Sequence, residues 1–539
     1  MRHATKTGYL IAAFSSLNSC SAVARWFLRC HQALSRPWQE KPLIVWLGAI
    51  CLVSATASAC RAQSMLTYHG GSDRHGNFIA PSLNWQRARS LHLDPSFQPR
   101  FSGHVYAQPL YWQPPGSSTA MLIVATEDDS VYAIDAKSGK EIWATSLGRP
   151  VQLSTQPCGN IDPLGITGTP AIEESAQAVY LDAVVGDPSG PHHRIFALSL
   201  KDGSTLPGWP VDVAAALAAR GQRFNNRFQN QRGALTILDG RVYVPFGGHF
   251  GDCGDYRGWV IGIRLQDPHD IVTWSTRGRG GGIWAPGGIS SDGRSLYVAT
   301  GNTIDATTWS DGEAVFRLTA ELRRDDQPQN FFAPSDWREL DSRDADLGGA
   351  NPLPFDLASV SGRPKPLVLA LGKDGRAYLL NRDNLGGIGG SLAAALVSKY
   401  PIRTAPAAYP GNDGMFVAFH GQGTECPGSR LANNLTVLKI RNGSPPSMAT
   451  AWCGAFKGEA SPVVTTIDGR SNPIVWIIGA EGDGRLHGYR GDTGEPLFSG
   501  GGPNDEMTGL RHFQTVLPAG GRLFVAADRR IYAFSSQEP

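Results

Sequence analysis

Val131-Tyr132-Ala133-Ile134-Asp135-Ala136-Lys137-Ser138-Gly139-Lys140-Glu141-Ile142-Trp143 reads as a single β-hairpin. Apolar and polar positions alternate with the period of a strand. The Asp-x-x-x-Gly step is turn chemistry, and the second arm ends on an aromatic. A further strand-like run at 121–126 lies just ahead, so the unit is an antiparallel meander. The same unit recurs, more worn, at 194–198 leading to Trp209, at 259–263 leading to Trp274, at 314–318 and at 376–380. It returns at 435–438 leading to Trp452, at 485–489 with the turn Gly491-Asp492-Thr493-Gly494, and at 530–534. Units spaced about 45–65 residues apart around a closed array predict an all-β, eight-bladed β-propeller with four-stranded antiparallel blades. The repeated Trp residues are read as blade-to-blade packing.

The eighth unit lacks a fourth strand after 534. A ring needs that edge paired, so a strand within 82–97 is expected to close it. The composition, with 64 Gly and 37 Pro, suits short strands joined by tight turns. Only 211–219 and 391–399 carry short helical patterns. With 49 basic against 47 acidic residues and no basic stripe, nucleic acid is set aside as a partner.

Residues 1–62 are read as an export signal or anchor with an over-long n-region, and 63–539 as one propeller domain. Arg36 and Lys41 precede an apolar run at 42–59 that ends in small residues, the pattern of an export signal. Ala57-Ser58-Ala59 fits a cleavage site, and with Cys60 it forms a loose lipobox. An uncleaved anchor is the third option. The expected location is periplasmic or envelope-anchored, with Cys60 a candidate for lipid attachment. After Cys60 only Cys158, Cys253, Cys426 and Cys453 remain, an even number that suits an oxidising compartment. Cys426 and Cys453 flank a hairpin-sized stretch and are the better pair. There is no Cys-x-x-Cys-His, so covalent haem is not expected.

Gly165-Ile166-Thr167-Gly168-Thr169-Pro170, Gly281-Gly282-Ile283-Trp284, Ala299-Thr300-Gly301-Asn302 and the stretch from Gly372-Lys373-Asp374-Gly375 to Arg382 resemble the pyrroloquinoline quinone (PQQ) repeats of the quinoprotein alcohol dehydrogenase-like propellers. The resemblance covers roughly 66–534. It implies a cofactor in the axial funnel, with Trp284 as the floor under the quinone and Thr167 as a contact. Lys373 would bond the quinone. Asn302 would hold calcium, Asp344 would be the general base and a further calcium ligand, and Asp346 would stand near that base. Asp187 would occupy the place of the family's calcium Glu. Such chemistry needs an aromatic face for the flat ring, hard oxygens for calcium and a base in reach of the alcohol proton. The chain departs from the family in three places. It has no Glu at the calcium position and no adjacent Cys-Cys pair, and Thr303-Ile304-Asp305 follows Thr-Gly-Asn where Pro-Trp-Asn is usual.

Each residue also has a reading outside that family. Trp284 could plug the core. Asn302 could be a left-handed turn residue, and Asp344 could bond its own loop. Lys373 could be a solvated turn lysine. A polar stretch at 224–232 brings Arg227 and Arg232, and Arg232 is a candidate to hold the carboxylate of an anionic cofactor. His249 with Cys253 lacks the further ligands that zinc requires.

The leading expectation is a quinoprotein-like oxidoreductase that oxidises an alcohol or aldehyde with PQQ and calcium and passes electrons to a separate acceptor. The rival is a cofactor-free propeller that binds an envelope protein as an assembly platform.

Overall fold

The computed structural model describes residues 64–358, 362–428 and 434–536. The run at 42–59 and Cys60 lie outside them. Among the described residues no helix is long and apolar enough to cross a membrane.

Eight antiparallel sheets make the blades. Blade 1 runs through Leu110–Trp112, Met121–Thr126, Ser130–Asp135 and Glu141–Ser146, and blade 2 through Ala171–Glu173, Ala178–Asp187, Gly190–Ser199 and Val211–Asp212. Blade 3 is Thr236–Leu238, Arg241–Gly248, Trp259–Arg264 and Ile271–Ser275, and blade 4 is Ser290–Ser291, Leu296–Thr300, Ala314–Leu318 and Phe331–Ala333. Blade 5 is Leu353–Leu357, Lys365–Leu371, Arg376–Asn381 and Ala393–Leu396. Blade 6 follows with Ala407–Pro410, Met415–His420, Leu435–Arg441 and Ser447–Gly454. Blade 7 is Val463–Thr466, Ile474–Ile478, Leu486–Arg490 and Pro496–Ser499. Blade 8 takes Val516–Ala519, Arg522–Ala527 and Arg530–Ser536 from the chain's end.

The eight recurring hairpin arms are the third strands of these blades. The second strands are mostly buried, fully so in Ile474–Ile478, because a blade packs a neighbour on each face. Such strands read as continuous apolar runs rather than strict alternation.

The expected closure is present. Leu91–Leu93 pairs antiparallel with the end of the chain, Leu91 against Ser536 and Leu93 against Phe534, and the Asp505 carboxylate accepts the Leu93 N–H at 2.8 Å.

Three of the Trp residues dock on the next blade. Trp143 Nε1 donates to the Leu200 carbonyl at 3.0 Å and Trp452 Nε1 to the Gly491 carbonyl at 2.8 Å. The receiving turns must end on glycine. A Cβ on Gly203 or Gly494, both at positive φ, would meet the indole at 2.6 or 2.7 Å. Trp274 packs 4.8 Å from Phe316 of blade 4. Trp209 stands edge-on to Tyr180 of its own blade.

Of the two helical patterns, the first is a helix, Val213–Ala218, capped by Asp212. The second is corrected: Ala393–Leu396, within 391–399, is the outer strand of blade 5, paired with Arg376–Leu379. Alanine favours helix, yet the blade's open edge supplies backbone partners that a lone helical turn lacks, and tertiary pairing overrides the propensity.

Residues 64–79 do something the repeat does not announce. They run as a plug along the inner strands of blades 1 to 7. Met65 bridges Tyr111 of blade 1, His75 reaches the Pro354 carbonyl of blade 5 at 2.7 Å, and Asn77–Ile79 pairs in parallel with Val464–Thr466 of blade 7. Arg74 is fully buried in this plug. Its guanidinium donates to the carbonyls of Ile289, Tyr68, Gly71 and Leu235 and to the hydroxyls of Thr67 and Thr236. Burial pushes its pKa down to about 10, so it stays charged at neutral pH.

Removing that donor set strands buried acceptors, each worth about 1–3 kcal/mol. Arg74→Met is expected to lower the unfolding free energy in urea by about 3 kcal/mol or more. Arg294→Met, at an exposed position, is expected to leave it unchanged.

Candidate functional site

The loops that enter the inner strands converge on one face around a cavity of about 480 Å³. Trp284 precedes the inner strand of blade 4, Asn302 follows that blade's second strand, and Lys373 caps the central hairpin of blade 5. Asp344 and Asp346 come from the loop after the short helix Trp337–Ser342. All five line this cavity, with Arg232.

Asp346 organises the group. It is 3% exposed, and its oxygens take the Asn302 N–H at 3.1 Å, the Trp284 Nε1–H at 3.0 Å and the Lys373 ammonium at 2.9 Å. The Asp346 carbonyl also accepts the Lys373 N–H at 2.8 Å. Asp344 closes the cluster, its carboxylate 2.8 Å from the same ammonium. It is exposed, and its φ of 52° is a strained region for an L-residue. Burial pulls the Lys373 ammonium down, but Asp346 and Asp344 outweigh it and hold its pKa above the ordinary lysine value. Burial pushes Asp346 up, with Lys373 opposing. The ammonium sits 5.2 Å from the centroid of the Trp284 ring, a cation–π placement.

Several of the alternatives raised from sequence do not describe these residues. Trp284 is half-buried and faces the cavity, so it is not a plug in the core. Asn302 is absent from the left-handed positions. Asp344 bonds Lys373 rather than its own loop, and Lys373 is 15% exposed.

Arg232 stands elsewhere on the wall, its guanidinium 5.2 Å from the Phe513 ring. No carboxylate lies within ion-pair distance of it among the described residues, and burial holds its pKa below the ordinary value. Thr167 does not line the main cavity. It lies in a narrow neck beneath, beside Tyr68 of the plug and Arg232, with room for about one water. Its hydroxyl has no hydrogen-bond partner. Arg227 lines a separate small recess with His249.

Asp187 is not brought to this site. It is exposed in a hairpin turn, where it takes the Ser189 N–H at 2.8 Å and lies 3.3 Å from His192 and 3.6 Å from Arg194. The hairpin Ala178–Ser199 is long enough to carry its tip away from the axis. Calcium takes roughly six to eight oxygens. Here Asp346 already accepts three donors, Asp344 is paired with an ammonium, and Asp187 does not line the cavity. Among the described residues no three His, Cys, Asp or Glu side chains converge to hold a metal. The donor set does not fit calcium.

A planar, carboxylate-bearing ring fits better. It would find an indole face open to the cavity, the Lys373 ammonium and the unpaired Arg232.

Several contributors escape sequence reading. Glu313 is fully buried and accepts the Leu347 N–H at 2.5 Å, which fixes the loop after Asp346. Burial, then Asp346, raises its pKa well above the carboxylate range. Asp341 accepts the Thr303 N–H at 2.9 Å. Arg403 pairs with Glu459 across the cavity wall at 2.9 Å. Only the acidic run 341–346 offered a signal for any of these. Both disulfides form, Cys426–Cys453 as expected and also Cys158–Cys253, so Cys253 has no thiolate for zinc.

With the geometry in view, the likeness to solved structures can be stated. The chain is similar to a quinohemoprotein alcohol dehydrogenase from Comamonas testosteroni, at 17% identity over 91% of this chain and 83% of that one, with a TM-score of 0.57. It is similar to another from Pseudomonas putida, at 14% identity over 88% and 81%, with a TM-score of 0.61. A europium-containing methanol dehydrogenase matches at 15% identity over 86% and 89%, with a TM-score of 0.56. At these identities the likeness establishes the eight-bladed propeller fold. No protein-family model matches the sequence, and no curated protein sequence does.

Beside the neck lie two further buried acids. Glu127 accepts the Gly165 N–H at 2.7 Å, while one of its oxygens and both of Asp129's have no partner. Burial, with the Gly165 N–H opposing, pushes Glu127 up to about 7. Burial, then Glu127 and Asp182, pushes Asp129 up to about 9. Groups raised in the fold stabilise it fully below their unfolded values of 4.5 and 3.8. That contribution is lost as pH rises through the folded values. The melting temperature is therefore expected to fall between pH 5 and pH 9, and Asp129→Asn to flatten the fall. An unchanged slope in calorimetry would contradict the assignment.

Proposed function

We propose that the funnel binds a planar quinone with carboxylate groups, of the PQQ type, and that the protein is a quinoprotein-like oxidoreductase acting on an alcohol or aldehyde. One observation carries this reading: the Trp284 ring, open to the cavity, lies beneath an ammonium that two carboxylates hold charged. In it, Trp284 is the stacking floor and Lys373 donates to the quinone oxygen. Arg232 holds a carboxylate of the ligand, and Thr167 offers a hydroxyl at the neck. Bound there, PQQ would supply the two-electron acceptor for the alcohol carbon.

Asp344 is the base. Its second oxygen is free, it is the exposed member of the pair, and an alcohol proton can pass to it while Lys373 offsets the carboxylate's charge. Asn302 positions Asp346 through its N–H rather than a metal. Electrons leave to a separate acceptor. Export to an oxidising compartment agrees with two disulfides.

The second reading, a platform for an envelope protein, is favoured by a different feature. Ile388, 50% exposed, stands on the outer edge of blade 4, and Leu396 and Tyr400, each 58% exposed, stand at and just after the outer strand of blade 5.

Equilibrium binding of PQQ to the purified full chain decides between them. The site predicts micromolar binding that needs no added calcium, weakened about tenfold by Trp284→Ala or Lys373→Met. Asp344→Asn is expected to keep PQQ affinity within a few-fold and to cost dye-linked alcohol oxidation about a hundredfold or more. No binding at high micromolar PQQ by a folded propeller would sink the oxidoreductase reading.

A further inference from the structure

The rim of the funnel presents a bare phenyl ring to solvent. Phe250 is 70% exposed, more than any other exposed large apolar side chain among the described residues, and it lines the cavity mouth. The loop that carries it is held tightly. Cys253 is bonded to Cys158 of the insert between blades 1 and 2. The Tyr256 hydroxyl donates to the Asp252 carboxylate at 2.5 Å, and the Asp252 N–H donates to the His249 carbonyl at 3.1 Å. Gly251 and Asp252 both sit at positive φ, 95° and 50°, which makes a sharp turn just after the ring. His249, immediately before it, is buried.

Fixing a loop costs backbone entropy of about 1–2 kcal/mol per residue, and here the fixed ring gains no burial within the fold. The same cavity is also lined by the polar groups Asp252, Asp344, Lys373 and Arg232. A ligand filling both the cavity and its mouth needs a polar foot and an apolar part at Phe250.

We propose that Phe250 is the specificity-determining contact of the funnel, receiving the apolar part of an alcohol substrate that carries an aryl or longer alkyl group, and that the Cys158–Cys253 bridge positions it. This rests on the funnel being an oxidoreductase site. The bridge takes the place of a flexible rim: it ties the Phe250 loop of blade 3 to a neighbouring insert, so the ring's place at the cavity mouth is set by a covalent link.

The test is saturation-transfer NMR of benzyl alcohol and of methanol with the full chain, with and without saturating PQQ. Benzyl alcohol is expected to bind the wild type and to bind Phe250→Ser about tenfold more weakly, with methanol indifferent to the change. The Cys158→Ser/Cys253→Ser double variant, shown folded by circular dichroism, is expected to weaken benzyl alcohol as well. Equal binding of benzyl alcohol to wild type and Phe250→Ser, in both conditions, overturns the proposal. The same Phe250 dependence in a protein that never takes up PQQ supports the rim contact and removes the cofactor reading.

Discussion

Three residue pairs close the ring: Leu91, His92 and Leu93 against Ser536, Ser535 and Phe534. The rest of the structure depends on them. Each blade buries both faces against its neighbours, so an open ring would expose the apolar faces of blades 8 and 1 and bare strand edges. The pairing joins segments more than four hundred residues apart, and every loop on the funnel face takes its position from that closure. The plug at 64–79 adds a second constraint at the axis. Its buried Arg74 ties the inner strands of blades 3 and 4 to the N-terminal segment without any carboxylate partner, through carbonyls and hydroxyls alone.

Closure creates one place where eight sets of loops meet, and the polar groups there are arranged by Asp346. A buried carboxylate with three donors on two oxygens fixes an indole, a main-chain N–H and an ammonium at once. Gly301 lies against both Trp284 and Asp346, where a Cβ would come within 3.1 and 3.2 Å. The rigidity of the floor thus follows from an anion at its centre. Lys373 and Arg232 bring positive charge to the funnel wall. A site of this kind suits an anionic planar ligand, whose charge meets two cations and whose ring meets an aromatic face.

The fold was legible in the sequence because the repeat is local. Hairpin, turn and terminal Trp recur within short windows, and the turn glycines prove to be docking places for the Trp of the blade before. The closing strand followed from a missing fourth strand. Trp284, Asn302, Asp344 and Lys373 were legible as loop residues in a family's order, and the structure gathers them at one cavity. The misreadings share a cause. Ala393–Leu396 is a strand only because an edge is there to receive it. Asp187 aligns with a ligand position, yet a long hairpin carries it off the axis. Glu313, Glu127, Asp129 and Arg74 look like surface charges until the ring encloses them, and the Cys158–Cys253 pair joins the insert between blades 1 and 2 to a loop of blade 3 that is distant in sequence. Burial of that kind is written in three dimensions, not in periodicity.

The central claim is that the Trp284–Lys373–Asp346 floor receives a planar anionic ligand. A crystal structure of the protein soaked with PQQ tests it most directly. The account predicts flat density stacked on the Trp284 indole, with Lys373 Nζ within hydrogen-bond distance of a quinone oxygen and the Arg232 guanidinium on a carboxylate. Clear density for the side chains of an empty funnel, or PQQ bound elsewhere on the propeller, would contradict it.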